Sequence, residues 1–312
     1  MKLPARQSIT LADGRTLTYG VFGHSDAATA RLTVFYFHGW PASHAEAAPF
    51  DGPARARRIR IVAPDRPGLG GSTHAPARAV ADWPADVLAL ADHASVAAPV
   101  FAVLGTSGGA PYALACCAAL PRARLLAAGV VSGLYPTALG LQGMSLEPRL
   151  LLWVAPWVPG LVEKMLGWSL AAAAAADDGG VKLERLLDDA MKKRPQPDRE
   201  AWERNEGGFR LSLVESVKGA VGGEAGAKGA AHEASLLGSS WGFELADVAM
   251  DEGKLVLWHG KADGNTPLLM ATKAHALLSG SELRISEDEA HASLVVHKVE
   301  EVLDVLVERA TP

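Results

Sequence analysis

The run Gly105-Thr106-Ser107-Gly108-Gly109 fits the pattern G-x-S-x-G, in which a serine stands on a tight turn between a strand and a helix with its hydroxyl exposed. Such a turn leaves no room for a side chain two residues before or after the serine, so glycine at both places has a steric cause. The chemistry open to that serine is nucleophilic attack on an acyl carbon. The pattern alone is weak, because 32 of the 312 residues are glycine and a second match stands at Gly238-Ser239-Ser240-Trp241-Gly242. Context separates the two. Ser107 follows the apolar run Val100 to Leu104 and precedes a helix-forming stretch, whereas Ser240 follows Ala230 to Leu237, which reads as helix. Ser107 is therefore the candidate nucleophile.

A serine hydroxyl at its own pKa is a poor nucleophile, so it needs a base within hydrogen-bond reach and a carboxylate to orient that base. After a serine on such a turn, the acid and then the base follow along the chain, each on a loop after a strand. Asp263 lies just beyond the run ending at Trp258-His259-Gly260, and His291 lies just beyond Glu282 to Ile285. The rival position for the acid, on the stretch Leu125 to Pro136, holds no carboxylate. Asp288 is too close to His291 along the chain to approach the far ring nitrogen comfortably. Of the nine other histidines, His259 is expected to shape the turn before Asp263, and His297 falls inside the last helix.

Acyl transfer builds negative charge on the former carbonyl oxygen, which preorganised backbone N–H groups must receive. Gly108, next after the nucleophile, is the first expected donor. The second is Trp40, in the loop His38-Gly39-Trp40-Pro41. The plain alternative for that loop is a turn punctuated by Gly and Pro.

The elements that must position these residues read as follows. Gln7 to Gly23 forms a hairpin about Asp13-Gly14, a dipeptide suited to a tight turn. Buried-strand patterns follow at Leu32 to Phe37, Ile59 to Ala63, Val100 to Leu104 and Leu125 to Val131, and later at Lys254 to Trp258 and Glu282 to Ile285. Helical stretches alternate with them at Ala42 to Arg58, Asp82 to Ala97, Ala110 to Leu120, Leu268 to Leu278 and Val295 to Arg309. That alternation predicts an α/β fold with a mostly parallel eight-stranded sheet covered on both faces. The rhythm stops after Pro136, and about a hundred residues of helix and loop follow, including an alanine run, Ala171 to Ala176, and a charged helix, Val181 to Arg194. An inserted α-helical cap is the simplest account. Within it the Gly-rich stretch Gly219 to Ala231 reads as flexible.

The chain is 49% hydrophobic and 21% charged, ordinary values for a globular protein with a sizeable core. A net charge of -5 gives no broad positive field, so nucleic acid is not an expected partner. The short cluster Arg55, Arg57, Arg58 and Arg60 reads as a solvated helix end. The adjacent Cys116 and Cys117 disfavour a structural disulfide and read as small core residues. The N-terminus lacks a secretory apolar region, making a cytoplasmic location the expectation. Leu150 to Val162, with Pro156 and Pro159, is too short and broken to span a bilayer. His38 and His44 lack a third ligand at metal spacing, and Gly68, Gly70 and Gly71 give no dinucleotide fingerprint, so no cofactor is implied.

Five landmarks taken together resemble the α/β-hydrolase superfamily: His38-Gly39-Trp40-Pro41, Asp65-Arg66-Pro67-Gly68-Leu69-Gly70-Gly71-Ser72, Gly105 to Gly109, His259-Gly260-Lys261-Ala262-Asp263, and Ala290-His291. The likeness covers the core segments, residues 1–136 and 238–312, but not the cap, residues 137–237. In that superfamily the loop Asp65 to Ser72 shapes the site beside the oxyanion hole. The His-Gly-Trp-Pro loop and the helical cap are similar to those of epoxide hydrolases and haloalkane dehalogenases. Those families attack with aspartate, however, and here none of the four tyrosines lies in the cap and Gly108 stands where a dehalogenase places tryptophan. The resemblance therefore implies a serine hydrolase, carboxylesterase- or lactonase-like, that cleaves an ester, lactone or related acyl bond of a mainly apolar small molecule through an acyl-enzyme. His38, Trp153, Trp157 and Trp168 are the candidate pocket residues, with cap-to-sheet packing as the alternative for the tryptophans. The same triad would also serve C–C bond hydrolysis, acyl transfer or a lyase step. A non-catalytic ligand-binding member of the fold is the remaining alternative, and the intact Ser, His and Asp set argues against it. Oligomeric state is left open.

Overall fold

The computed structural model describes residues 3–176, 179–248 and 250–311. Eight strands, β1 (Gln7–Thr10), β2 (Thr16–Gly23), β3 (Leu32–Phe37), β4 (Ile59–Pro64), β5 (Phe101–Thr106), β6 (Leu125–Val131), β7 (Leu255–Gly260) and β8 (Ser281–Ser286), form one sheet in the order β1-β2-β4-β3-β5-β6-β7-β8. The β1–β2 and β2–β4 pairs are antiparallel and every later pair is parallel. Strands β3, β4, β5 and β7 are buried at every position, which is why they appear in the sequence as mainly apolar runs. Helices α1 (Asp51–Ala56), α2 (Trp83–Asp92) and α3 (Ala110–Ala119) lie between the early strands. Between β6 and β7 come α4 (Leu146–Val154), α5 (Pro159–Leu166), a π-helical turn (Gly167–Ala171), α6 (Ala172–Ala174), α7 (Val181–Met191), α8 (Gln196–Arg204), α9 (Phe209–Gly222) and α10 (Gly226–Gly238). The chain then continues with α11 (Leu268–Leu277), α12 (His291–His297) and α13 (Val299–Ala310).

The helices divide between the two faces of the sheet. On one face α2, α3 and α11 cover Phe35, Phe37, Val103 and Leu257. On the other α1 and α13 cover Val34, Tyr36, Leu104 and Trp258. Among the described residues, the regular elements of the insertion between β6 and β7 are all helical.

Three local expectations are corrected. The stretch Ala42 to Arg58 is not one helix: a 3-10 turn, His44–Phe50, passes into the short α1, because Pro49 and Pro53 cannot donate the hydrogen bonds a continuous helix needs. The last helix is likewise broken at Lys298 into α12 and α13. The Gly-rich stretch Gly219 to Ala231 is not a free loop but the end of α9 and the start of α10. Its glycines serve close approach. A Cβ on Gly229 would collide with the Gly68 carbonyl oxygen, and one on Gly223 with that of Gly70. The cap is thereby seated directly on the Asp65 to Ser72 loop.

Candidate active site

Ser107 stands just past β5 at φ 52°, a left-handed conformation that a non-glycine residue adopts only under constraint. A Cβ on Gly105 would lie 2.6 Å from the Gly109 carbonyl oxygen, and one on Gly109 would collide with that of Phe37. Both glycines are thus sterically required for the turn, as their spacing about Ser107 implied. The second G-x-S-x-G match has no such setting, since Ser240 is exposed beyond the end of α10.

Loops after β5, β7 and β8 bring Ser107, Asp263 and His291 together. The Ser107 Oγ lies 3.0 Å from His291 Nε2, and His291 Nδ1 lies 2.8 Å from Asp263 Oδ2. Asp263 is fully buried, and its carboxylate also accepts the Asn265 and Thr266 amides at 2.8 and 2.9 Å and the Thr266 hydroxyl at 2.9 Å. Burial alone would raise the Asp263 pKa, but the His291 ring and these donors hold it below the ordinary carboxylate value. Burial works to lower the His291 pKa, and the Asp263 charge outweighs it, so the ring is more basic than an ordinary histidine. The Ser132 hydroxyl donates to the His291 carbonyl at 2.9 Å, and the Ser132 carbonyl lies 3.1 Å from the Thr266 hydroxyl, sharing its proton with Asp263. His259 is buried with Nε2 2.5 Å from the Thr266 carbonyl, shaping the turn that carries Asp263. Asp288 is exposed.

The Trp40 backbone nitrogen lies close to Gly108, the residue after Ser107: the place of a Cβ on Gly108 is 3.4 Å from it. Gly108 sits in the opening turn of a helix, where amides have no intrahelical acceptor, and the Trp40 amide donates to no group among the described residues. The loop carrying Trp40 is held from both sides. The Gly39 amide donates to Glu46 at 2.8 Å, while Arg66 donates to the His38 and Gly39 carbonyls at 2.6 and 2.9 Å. Arg66 is itself fully buried and paired with Glu233 of α10 at 2.6 Å. Glu233 also pairs with Arg78, and the Arg66 guanidinium stacks 4.6 Å from the centre of the Tyr112 ring. The Trp40 indole reaches the cap too, donating to the Ala230 carbonyl at 2.8 Å.

The candidate pocket residues fare differently. His38 is fully buried with Nδ1 2.9 Å from the Gly39 carbonyl, and burial together with Arg66 pushes its pKa down to about 3, so it is a neutral support of the loop rather than a wall of an open pocket. Trp153, Trp157 and Trp168 are 68%, 80% and 81% exposed and pack neither into a pocket nor onto the sheet. The inner faces of α4 and α5 use Leu152, Val162 and Leu166 instead. Leu237, on α10, packs against the residue after Ser107: its Cδ1 is 3.2 Å from the place of a Cβ on Gly108. Sequence reasoning missed Thr266, Glu46, Arg66, Glu233 and Asp198. One signal was available, an arginine and a glutamate set in otherwise apolar or glycine-rich surroundings, where a charge is retained only if paired.

Among the described residues no three metal-binding side chains cluster, and no helix is long and apolar enough to cross a membrane. Residues 34–305 match the sequence model of the Alpha/beta hydrolase family. No curated protein sequence matches the chain. Solved structures similar to it include an alpha/beta hydrolase fold protein from Nakamurella multipartita, 21% identical with TM-score 0.61 over 99% of this chain and 100% of that one. A thermophilic esterase from Thermogutta terrifontis is 16% identical with TM-score 0.66 over 99% and 100%. The enol-lactonase from Burkholderia xenovorans is 16% identical with TM-score 0.65 over 96% and 99%.

Proposed function

Because the chain belongs to the alpha/beta hydrolase family, we propose that it is a serine hydrolase that cleaves an ester, lactone or related acyl bond of a mainly apolar small molecule through an acyl-enzyme. One observation carries the reading: the hydrogen-bonded line from Ser107 Oγ through His291 to Asp263, at 3.0 and 2.8 Å. In this mechanism Ser107 Oγ attacks the acyl carbon as its proton passes to His291 Nε2, and the Asp263 carboxylate stabilises the imidazolium. The Trp40 and Gly108 amides receive the developing oxyanion. His291 then gives its proton to the leaving oxygen, takes one from water, and the resulting hydroxide releases the acid and restores Ser107. The apolar Leu237 beside the oxyanion amides supports an apolar acyl group.

Stopped-flow mixing with p-nitrophenyl esters is expected to give a burst of about one nitrophenolate per chain followed by slower turnover, the signature of an acyl-enzyme. Only neutral His291 can act as a base. Since its pKa is raised, kcat/KM should climb with pH along a limb lying above the ordinary histidine value of 6.5. A folded protein with neither burst nor steady turnover on esters, lactones or thioesters would direct attention to a binding role for the fold.

A further inference from the structure

α12 begins with the base, His291, and lacks the means to cap itself. Ala290 occupies the N-cap position, where a side-chain oxygen would normally accept the amides two and three residues on. That oxygen comes from elsewhere. Asp198, in the first turn of cap helix α8, is 1% exposed, and its Oδ1 accepts the Ala292 and Ser293 amides at 2.8 and 2.9 Å. We propose that Asp198 is a positioning residue through which the cap fixes the catalytic base, so that His291 is correctly aimed only while α8 is docked on the core. This rests on the triad reading of the site. A buried carboxylate reaching from an inserted helix to two amides next to His291 is a costly arrangement, and it is balanced only when those amides satisfy it.

Asp198 touches neither the ring nor the acyl carbon, so its influence is on aim and charge. Small displacements of a catalytic group lower rate far more than they change binding. Its negative charge also adds to that of Asp263 in favouring the protonated ring, against Arg194, which opposes it from the same side of the cap; His259 and Glu46 are the other titratable groups acting near the ring.

The test compares wild type, Asp198→Asn and Asp198→Ala in ester turnover across pH, with fluorophosphonate labelling of each. Asparagine keeps the amide acceptor and drops the charge, so Asp198→Asn is expected to retain most of kcat while its acid limb moves to lower pH. Asp198→Ala loses the cap, and kcat should fall about 10- to 100-fold with KM nearly unchanged. A merely structural contact would lower thermal stability without moving the pH limb. Wild type that labels normally beside variants with unchanged kcat and unchanged limb overturns the role of Asp198. Folded wild type that fails to label overturns the triad reading instead, and the two failures are therefore distinct. If Asp198→Ala does not fold, the limb of Asp198→Asn decides alone.

A different observation concerns the outer face of the cap. Leu150 and Trp153 on α4, Trp157 in the turn that joins it to α5, Leu161 and Met165 on α5 and Trp168 in the π-helical turn after it are each between 52% and 81% exposed. Exposed fractions of this size on side chains of 150–250 Å² for the aromatics give a stripe of roughly 750 Å². The largest apolar patch of a monomer is ordinarily about 300–600 Å², and a standard interface takes about 800 Å² from each partner. The bordering charges are Glu147, already paired with Lys193 at 2.9 Å, and Arg149, Glu163 and Lys164, a rim of both signs without the dense basic cluster that draws a helix to an anionic bilayer. We infer that a second copy of this chain covers the stripe, the same face meeting itself about a two-fold axis so that the mixed rim pairs acid with base. Sedimentation velocity at micromolar concentration should give a dimer for wild type and a monomer for Trp157→Glu/Trp168→Glu, with an unchanged far-UV circular dichroism spectrum, because both side chains are exposed within a single chain. A monomeric wild type, a dimeric double variant, or a monomer that pelts down with phosphatidylglycerol vesicles would each overturn it.

Discussion

Replacing Ser107 with alanine is expected to lower ester turnover by about four to six orders of magnitude and to abolish the covalent fluorophosphonate adduct, with the fold intact. The effect is large because the substitution removes the attacking atom, leaving only the oxyanion amides and substrate binding to act on uncatalysed attack by water. The fold should survive because among the described residues the Ser107 hydroxyl has a single hydrogen-bond partner, His291, and because alanine meets the same left-handed backbone at φ 52° that serine does. Gly105 and Gly109, whose missing side chains the turn depends on, are untouched. Ser240→Ala is the matched control, since that exposed serine of the second motif should leave both readouts unchanged. Intact mass of wild type and both variants after labelling gives the answer. Near-full activity in Ser107→Ala would sink the nucleophile assignment, and an adduct that persists in it would place the reactive hydroxyl elsewhere.

The largest loss of stability is expected from Glu233→Ala. Glu233 is fully buried between Arg66 and Arg78, so its removal leaves two guanidinium groups without their shared counter-charge. Breaking such a buried set from one side costs about 3–5 kcal/mol, whereas replacing the whole set by apolar groups need not. Burial tends to raise the Glu233 pKa, and the two arginines overcome it, holding the carboxyl at about 2 against an ordinary 4.5. A depressed carboxylate contributes its full stabilisation above its unfolded pKa and loses it as pH falls from 4.5 toward 2. Urea unfolding at pH 7 should therefore separate wild type from Glu233→Ala widely, and the gap should narrow near pH 3. Equal midpoints at pH 7 would mean that the arginines find water when Glu233 is gone. Because Arg66 also holds the His38 and Gly39 carbonyls, the variant should lose oxyanion alignment together with stability.

Much of the sheet was legible from residue order alone. Leu32 to Phe37 and Leu125 to Val131 were read with the bounds the structure has, since a strand covered on both faces must be apolar at nearly every position. Boundaries failed where proline intervened, as between His44 and Ala56, because local hydrogen-bond supply there overrides helical periodicity. Trp153, Trp157 and Trp168 face outward for a reason the sequence does not carry. Leu150 to Trp168 is apolar on most sides, so its pattern does not say which face turns inward, and the packing of α4 and α5 onto α10 made that choice.

What the sequence determined by itself was the candidate set and its order: a serine between two obligatory glycines, then an aspartate, then a histidine, each just past an apolar run. Those features are local. Chain direction in a parallel sheet delivers every strand's end to one edge, so local reading suffices to bring Ser107, Asp263 and His291 together. The tertiary structure alone decided what holds them. Asp198 caps a helix 94 residues away, and Glu233 pairs with an arginine 167 residues away. A charged residue on a helix reads as surface until the opposing element is known, because only folding sets which charges leave water and which partners then meet them.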